Sequence, residues 1–133
     1  MKVVFADAFY WFALVNHKDA AHDRAVSFAT TPALLKLTTE WVLTEVCDGL
    51  AAVRMRRHVN VLRQLWQIDQ QLRIVPADHE LFERGLDLYC ARRDKSWSLT
   101  DCISFVVMEE HNVTEALTGD RHFEQAGFTP LLA

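Results

Sequence analysis

Near the N-terminus the chain reads Val3-Val4-Phe5-Ala6-Asp7, and an uninterrupted apolar segment, residues 8–15, follows at once. Four β-branched, aromatic or small apolar residues in a row are typical of a short strand that is buried on both faces. The segment 8–15 predicts a helix. A buried strand that leads directly into a helix is the opening unit of a parallel α/β sheet.

The same alternation continues to the C-terminus. Further strands are predicted at residues 34–37, 73–76, 115–118 and, at an edge, 129–132. Helices are predicted at 8–15, at 20–29 after the cap Asp19, from Thr38 or Thr39 through Val53, from Val59 through Leu72, at 81–90 after the cap Asp78, and at 99–110 after the cap Ser98. Strands that alternate with helices pair in parallel through right-handed crossovers. We therefore predict a three-layer α/β/α sandwich with a central, mainly parallel sheet of four or five strands, formed by residues 1–133 as a single domain.

The charge balance narrows the classes of function. The chain has 14 Lys and Arg against 18 Asp and Glu, so its formal net charge is 14 − 18 = −4. The four acids discussed below account for this excess, since the remainder is 14 − 14 = 0. A nucleic-acid binder that is basic over its whole surface is excluded, whereas a local basic rim is not.

The cysteines and the N-terminus indicate a compartment. Cys47, Cys90 and Cys102 are too few and too scattered for a disulfide framework, and we expect them to be buried thiols in helices. Asp7 arrives too early for a signal peptide, and the apolar run 8–15 is too short to span a bilayer. We therefore expect a protein of the reducing cytoplasm that makes no contact with a membrane.

Four carboxylates, Asp7, Glu45, Asp101 and Asp120, stand where an apolar run gives way to a turn or a helix. Asp7 and Asp120 each follow a predicted strand, and open α/β sheets bind their ligands beyond the carboxyl ends of the strands. Each acid alone also has an ordinary structural interpretation. Asp7 would be an N-cap, Asp120 a turn residue, Asp101 the partner of Ser98 in a capping box, and Glu45 a solvated helix residue. Their combination is what points to a site.

The chemistry that suits such a set is metal-assisted. Carboxylates that converge repel one another unless a hard cation lies between them. Mg²⁺ and Mn²⁺ prefer oxygen ligands and retain coordinated waters, so three or four carboxylates around one or two ions leave room for a phosphate. This favours hydrolysis of a phosphodiester. Acyl transfer is not supported, because the chain contains neither a GxSxG motif nor a Cys/His pair with an orienting group.

Four segments resemble the motifs of PIN domains, specifically those of the VapC-type ribonuclease toxins of bacterial and archaeal toxin–antitoxin pairs. They are residues 4–11 around Asp7, 43–46 around Glu45, 97–104 around Asp101, and 118–123 around Asp120 with 126–128 after it. The most specific match is Trp97-Ser98-Leu99-Thr100-Asp101-Cys102-Ile103-Ser104. The resemblance extends over nearly the whole chain.

The resemblance implies a PIN-like domain with Mg²⁺- or Mn²⁺-dependent endoribonuclease activity. Asp7 and Asp101 would be the firmest metal ligands, and Glu45 and Asp120 would complete the catalytic site. It also implies a homodimer and a cognate antitoxin protein whose tail enters the active site. One position departs from the pattern: the family usually has Thr or Ser after the first Asp, whereas this chain has Ala8. A hydroxyl that could bind substrate or a metal-bound water is therefore missing.

Other functions remain open on the sequence. Ala8 and the modest basic rim are compatible with a catalytically weak PIN-like module that binds RNA or regulates. A receiver-type phosphoryl-acceptor domain would need paired acids near the first strand and a late lysine, but no lysine follows Lys95. A phosphatase of the haloacid-dehalogenase type would need a second Asp where Phe9 stands.

Two groups of basic residues are candidates for contact with RNA. Residues 54–58 with Arg63 either bind phosphates or form a solvated helix end whose cations complement the helix dipole. The segment 92–97 is the second group, and Trp97 in it either stacks on an unpaired base or belongs to the core. His122, close to the fourth acid, either reaches the scissile phosphate or only caps and packs.

Overall fold

A five-stranded sheet forms the centre of the computed structural model, which describes all 133 residues. In chain order the strands are β1 (Lys2–Ala6), β2 (Leu34–Thr39), β3 (Leu72–Val75), β4 (Glu115–Leu117) and β5 (Thr129–Pro130). They are hydrogen-bonded in the order β3-β2-β1-β4-β5, and every neighbouring pair is parallel. The predicted α/β fold with a central parallel sheet is thereby confirmed.

Helices connect the successive strands. They are α1 (Ala8–Val15), α2 (His22–Ala29), α3 (Glu40–Gly49), α4 (Arg56–Ile68), α5 (His79–Ala91), α6 (Leu99–Glu110) and α7 (Arg121–Gln125), with a short 3-10 helix, Val53–Met55, before α4. None of these helices has both the length and the apolar character that a membrane crossing requires. The prediction for residues 8–15 is confirmed to the residue, whereas α7 lies where only a turn was expected.

Side-chain caps determine where three of the helices begin. Thr39 and Asp78 each accept a hydrogen bond from the backbone N–H three residues ahead, at 3.1 and 2.8 Å, and Ser98 does the same at 3.0 Å. These three predicted caps are confirmed. The fourth predicted cap, Asp19, is wrong. Its side chain accepts from the N–H of Ala21 at 2.9 Å and closes a turn ahead of α2, so the helix begins later.

Two predicted helical stretches are too long. Helix α3 ends at Gly49, and Val53 lies in the 3-10 helix with 92% of its surface exposed, so it is not part of the apolar face of α3. Helix α4 ends at Ile68 because Asp69 accepts a hydrogen bond from the N–H of Gln71 at 2.9 Å and turns the chain. Leu72 therefore belongs to β3 rather than to the helix.

The cysteines fulfil the expectation only in part. Cys102 is fully buried in α6, but Cys47 is only partly buried and Cys90 is exposed on α5. The expectation of three buried thiols is wrong for Cys90, because that side of α5 faces solvent. All three thiols are free.

Aromatic packing fixes β1 against the C-terminal third of the chain. Phe5 and Phe123 have less than 1% of their surface exposed, and Phe105 has 3%. The ring of Phe105 meets that of Phe123 edge-on at 5.0 Å, and Phe5 lies 6.3 Å from Phe123. Complete burial of one such side chain contributes about 1.5–3 kcal/mol to folding. These contacts hold the ends of β1, α6 and α7 in a fixed relation.

The strand order places a crevice beside β1. Strands β2 and β3 lie on one side of β1, and β4 and β5 lie on its other side, so the chain changes direction at β1. Ligands of open α/β sheets bind at such a change of direction, beyond the carboxyl ends of the strands. Ala6 is paired with Leu117, so Asp7 and Asp120 leave the sheet at the same edge. The order also differs from the 2-1-3-4-5 order of receiver domains, which excludes that fold.

Candidate active site

A depression of about 540 Å³ lies at the carboxyl edge of the sheet. It is lined by Asp7, Ala8, Phe9, Phe12, Glu45, Gly49, Ser96, Ser98, Asp101, Asp120 and His122. All four carboxylates singled out in the sequence are among these residues, although they come from four separate parts of the chain. No lysine or arginine lines the depression, so the negative charges have no cationic side chain beside them.

Asp7 is the most deeply buried of the four acids, with 6% of its surface exposed. It occupies the N-cap position of α1, yet its side chain does not cap that helix. Its Oδ2 instead accepts a hydrogen bond from the hydroxyl of Thr118 at 2.8 Å. Burial raises the pKa of Asp7 to about 7, the Thr118 hydrogen bond opposes this rise, and the nearby charges of Asp101 and Glu45 add to it. The structural interpretation of Asp7 as a cap is therefore wrong.

Asp101 uses one carboxylate oxygen to cap α6 and leaves the other without a hydrogen bond. Its Oδ2 accepts from the backbone N–H of Ser98 at 3.2 Å, which completes the predicted capping box of α6. The same oxygen lies 3.0 Å from Nδ1 of His122. Because a carboxylate oxygen can only accept, Nδ1 carries the proton in this contact. Oδ1 of Asp101 makes no hydrogen bond within the protein, so it is available to a ligand.

Asp120 caps the short helix α7. Its Oδ1 accepts from the backbone N–H of His122 at 2.9 Å, and its own N–H donates to the hydroxyl of Thr118 at 3.1 Å. The first turn of α7 directs the imidazole of His122 back into the depression. Donor atoms of Asp101, Asp120 and His122 consequently all lie within 4.8 Å of one another, close enough to share a metal ion.

Glu45 approaches the other acids from α3. Much of its surface is exposed, and its carboxylate lies outside the group formed by Asp101, Asp120 and His122. Partial burial raises the pKa of Glu45, and the charges of Asp101 and Asp120 add to the rise. Glu45 is thus close enough for its charge to interact with theirs. Asp7 also lies outside the three-residue group, although it lines the same depression.

Three features of the site were not assigned to it from the sequence. Thr118 is fully buried, and its hydroxyl links Asp7 to the backbone of Asp120. Its position directly after β4 in Thr118-Gly119-Asp120 was the available signal. Gly119 lets the ring of Phe9 approach the backbone closely, because a Cβ there would lie 2.6 Å from Cζ of Phe9 and 3.1 Å from the carbonyl oxygen of Leu132. The sequence offered His122 either a contact with the scissile phosphate or, as is commoner for such a residue, a capping or packing role; its ring lies in the depression and contacts Oδ2 of Asp101.

Several members of the two groups weighed for contact with RNA are held by contacts within the protein. Trp97 belongs to the core, with 6% of its surface exposed, its ring edge-on to Phe105 at 5.1 Å and its Nε1 donating to Gln125 at 3.1 Å. Stacking of Trp97 on a base is therefore wrong. In the other group, Arg56 and Arg57 each donate to a backbone carbonyl at 2.9 Å. They stand at the first turn of α4, where the helix dipole repels cations, so the expected dipole benefit is also wrong.

Four acids that converge at the carboxyl edge of a parallel sheet, two of them after strands and two on helices, are typical of a class of metal-dependent nucleases. The family model of the PIN domain matches residues 4–129, and the chain belongs to this family. The predicted resemblance is thereby confirmed.

Individual relatives agree with this assignment. The chain is 25% identical over 126 residues, 95% of both chains, to the 23S rRNA-specific endonuclease VapC20 of Mycobacterium tuberculosis. The crystal structure of that VapC20, described as a Sarcin–Ricin-loop-cleaving toxin, superposes with a TM-score of 0.85, at 25% identity, over 98% of this chain and 99% of the other. FitAcB of Neisseria gonorrhoeae matches with a TM-score of 0.63 at 15% identity, over 96% of this chain and 94% of the other, which shows a shared fold.

Proposed function

We propose that this protein is a metal-dependent endoribonuclease of the VapC toxin class that hydrolyses phosphodiester bonds of RNA. The observation that carries the proposal is the convergence of Asp7, Glu45, Asp101 and Asp120 in one depression that contains no lysine or arginine. Membership of the PIN family and similarity to an endonuclease along 95% of both chains support the same class of activity.

The four carboxylates would hold the metal, which we propose to be Mg²⁺ or Mn²⁺. The donor set fits such an ion, because oxygen ligands suit hard divalent cations and no lysine or arginine lies among the crowded acids. The raised pKa of Asp7 supports this, since an acid destabilised by burial and by like charges gains most from a nearby cation. When bound, the ion would neutralise charge on the phosphate and lower the pKa of a coordinated water.

The remaining residues of the site position these ligands. Thr118 holds Oδ2 of Asp7, and His122 holds Oδ2 of Asp101, while the second oxygen of Asp101 makes no hydrogen bond within the protein. Such secondary contacts orient metal-binding groups and raise affinity. Ala8, Phe9 and Phe12 form the apolar part of the lining.

The direct test is RNA cleavage by the purified protein with Mg²⁺, with Mn²⁺ and with EDTA. Suitable substrates are a Sarcin–Ricin-loop oligonucleotide, an unrelated hairpin and a single strand. Asp101→Asn should abolish cleavage, because the amide keeps an oxygen for the capping box but loses the charge. The matched control is Asp87→Asn, an exposed acid on α5, which should cleave like the wild type.

Two results would overturn the proposal. Equal cleavage by wild type and Asp101→Asn would assign the activity to a contaminant. RNA binding without any turnover in either metal would instead identify the weak, regulatory PIN-like module, for which Ala8 in the lining of the depression is the structural argument.

We further propose that the protein acts as a homodimer controlled by a cognate antitoxin. Val61 and Ile68, one heptad apart on α4, have 61% and 74% of their surface exposed, which is unusual for apolar side chains and suits a protein–protein contact. Light scattering should give the mass of a dimer, and Val61→Lys with Ile68→Lys should give a monomer. A ribonuclease toxin needs a silencing partner, and co-purification with the product of an adjacent short gene tests this.

The cytoplasm is the proposed location. Three free thiols, one of them exposed, suit a reducing compartment, and RNA substrates are found there. Fractionation of cells that express the tagged protein tests this directly.

A further inference from the structure

A second depression, of about 580 Å³, adjoins the acidic one, and Ser96 lines both. It is formed by the end of α5 and the turn that leads to α6, namely Tyr89, Cys90, Arg92, Arg93, Lys95 and Trp97. We propose that this depression binds the RNA nucleotide next to the scissile bond, with Arg93 and Lys95 on its phosphates and Tyr89 on its base. The inference rests on the proposed ribonuclease function and adds a substrate-binding subsite to it.

The turn is held in one shape by Arg92, whose charge is already used. Its guanidinium donates two hydrogen bonds to the carboxylate of Asp94, both at 3.0 Å, and its centre lies 5.0 Å above the ring of Trp97. Trp97 is in turn fixed by Phe105 and Gln125. Arg92 and Asp94 therefore neutralise each other and form part of the scaffold, so neither is expected to contact RNA.

Arg93 and Lys95 are free in the same turn. Neither side chain forms an ion pair or a hydrogen bond within the protein, whereas Arg92 is paired with Asp94. Asp94 is paired with Arg92, so the turn presents two uncompensated positive charges to solvent. The carboxylates of the acidic depression repel RNA phosphates. The positive charges of Arg93 and Lys95, on the adjoining surface, would offset this repulsion.

Tyr89 supplies the aromatic surface that the buried Trp97 does not. It has 47% of its surface exposed although it is a large apolar ring, and it lines the same depression as the two free cations. A base can stack on such a ring regardless of its identity. Cations for the phosphates and an exposed ring for a base in one depression, continuous with the cleavage site, are the elements of a single-stranded RNA subsite.

The experiment measures RNA binding separately from cleavage. A fluorescent single-stranded RNA of mixed sequence is titrated in EDTA, at several salt concentrations, with the full-length protein. The test variant is Arg93→Ala with Lys95→Ala. The matched control is Lys18→Ala with Arg24→Ala. It removes two exposed cations that also lack ion pairs, one in the turn after α1 and one on α2.

The test variant should bind about tenfold more weakly, and its dependence of log K on log salt should be shallower by roughly 1.4, that is, by two phosphate contacts. Tyr89→Ala should weaken binding by about five- to 150-fold without a change in that slope, and Tyr89→Phe should bind like the wild type. The control pair should lower affinity only slightly at low salt, because it removes two positive charges without removing a phosphate contact. Circular dichroism confirms that each variant is folded.

The inference is overturned if the Arg93/Lys95 pair and the Lys18/Arg24 pair lower affinity equally, or if Tyr89→Ala binds like the wild type. In either case the ribonuclease assignment would stand if the wild type cleaves RNA and Asp101→Asn does not. The ribonuclease assignment itself fails if the wild type does not cleave RNA or if Asp101→Asn cleaves equally well, and these binding variants can produce neither result.

Discussion

The hydroxyl of Thr118 donates a hydrogen bond to Oδ2 of Asp7 over 2.8 Å, although the two residues are 111 positions apart in the chain. Both side chains are buried, and the hydroxyl also accepts from the backbone N–H of Asp120. One buried oxygen therefore sets the position of the first and the last acid of the site. Ala8, the residue after Asp7, stands where the family usually has a hydroxyl and offers no second hydrogen bond of this kind.

Thr118→Val should weaken metal binding and move it to higher pH. The hydrogen bond from Thr118 lowers the pKa of Asp7, so its loss raises that pKa further and leaves less carboxylate at neutral pH. A hydrogen bond to a charged group is worth about 1.5–3 kcal/mol, which corresponds to a roughly ten- to 100-fold loss of Mn²⁺ affinity near neutral pH. Calorimetric titration with Mn²⁺ over a pH series measures it. Thr114→Val, at an exposed position, is the control, and an unchanged pH midpoint would contradict the role given to Thr118.

The metal-free protein should become less stable as the pH rises towards neutrality. The pKa of Asp7 is 3.8 in an unperturbed chain and about 7 in the folded protein, so between these values the folded state binds a proton that the unfolded state does not. The stabilisation from that proton is complete below about pH 4 and is lost as the pH passes through about 7. It amounts to at most about 4 kcal/mol for this group, and the raised pKa of Glu45 acts in the same direction.

Thermal unfolding in EDTA at about pH 5.5 and about pH 8 checks this linkage. Asp7→Asn should flatten the dependence and raise the melting temperature at the higher pH, because the amide can still accept from Thr118 but never ionises. The same variant should not cleave RNA. Two results together would contradict the raised pKa of buried Asp7. They are equal melting temperatures of the wild type at both pH values in EDTA, and a change on Asp7→Asn that is the same at both.

His122→Ala should lower metal affinity by roughly ten- to 100-fold, as removal of groups that support metal ligands generally does. The reason is that Nδ1 of His122, 3.0 Å from Oδ2 of Asp101, holds the carboxylate in place, and the ring lies within 4.8 Å of the donor atoms of Asp101 and Asp120. His79→Ala is a matched control, since the side chain of His79 is 83% exposed on α5. Mn²⁺ binding followed by electron paramagnetic resonance gives the answer without any cleavage assay, and equal affinities would rule out the supporting role.

Gly85→Ala should destabilise the protein without affecting the site directly. A Cβ on Gly85 would lie 3.2 Å from Cα of Ile103, so α5 and α6 would have to separate. Overpacking of this kind costs about 1–3 kcal/mol, partly offset by the better helix propensity of Ala, about 0.5–1 kcal/mol. Chemical denaturation measures the loss. Glu83→Ala on the exposed side of the same helix should leave stability nearly unchanged, and a Gly85→Ala protein as stable as the wild type would show that the two helices can adjust.

Much of the fold was predictable because its signals are local. The apolar run before Asp7 predicted a buried strand, and Thr39, Asp78 and Ser98 predicted the starts of three helices, since a side-chain cap involves only residues three positions apart. The errors also have local causes that compete with those signals. Asp19 and Asp69 bond to backbone two residues ahead and form turns, which shortened α2 and α4 relative to the expected ranges.

The candidate site was predictable in its acids and not in their supports. Asp7, Glu45, Asp101 and Asp120 are charged residues at the ends of apolar runs, which a sequence displays directly. We propose them as metal ligands because they converge in one depression. Thr118 and His122 carry weaker signals, because a hydroxyl directly after a strand and an imidazole at a helix start have common structural uses. Trp97 shows the reverse, since its aromatic character suggested a binding role that burial against Phe105 removes.

What the sequence determined by itself was the five strands and their parallel arrangement, all α-helices but α7, the identity of the acids and the kinship with PIN domains, because hydrophobic period, caps and motifs are properties of short segments. Tertiary structure alone decided that Thr118 meets Asp7, that His122 meets Asp101, and that Arg93, Lys95 and Tyr89 stay free beside Ser96 while Arg92 and Trp97 do not. Those relations depend on which buried groups find partners when distant segments pack, and the free energy of burying an unpaired polar group is settled only in the assembled core.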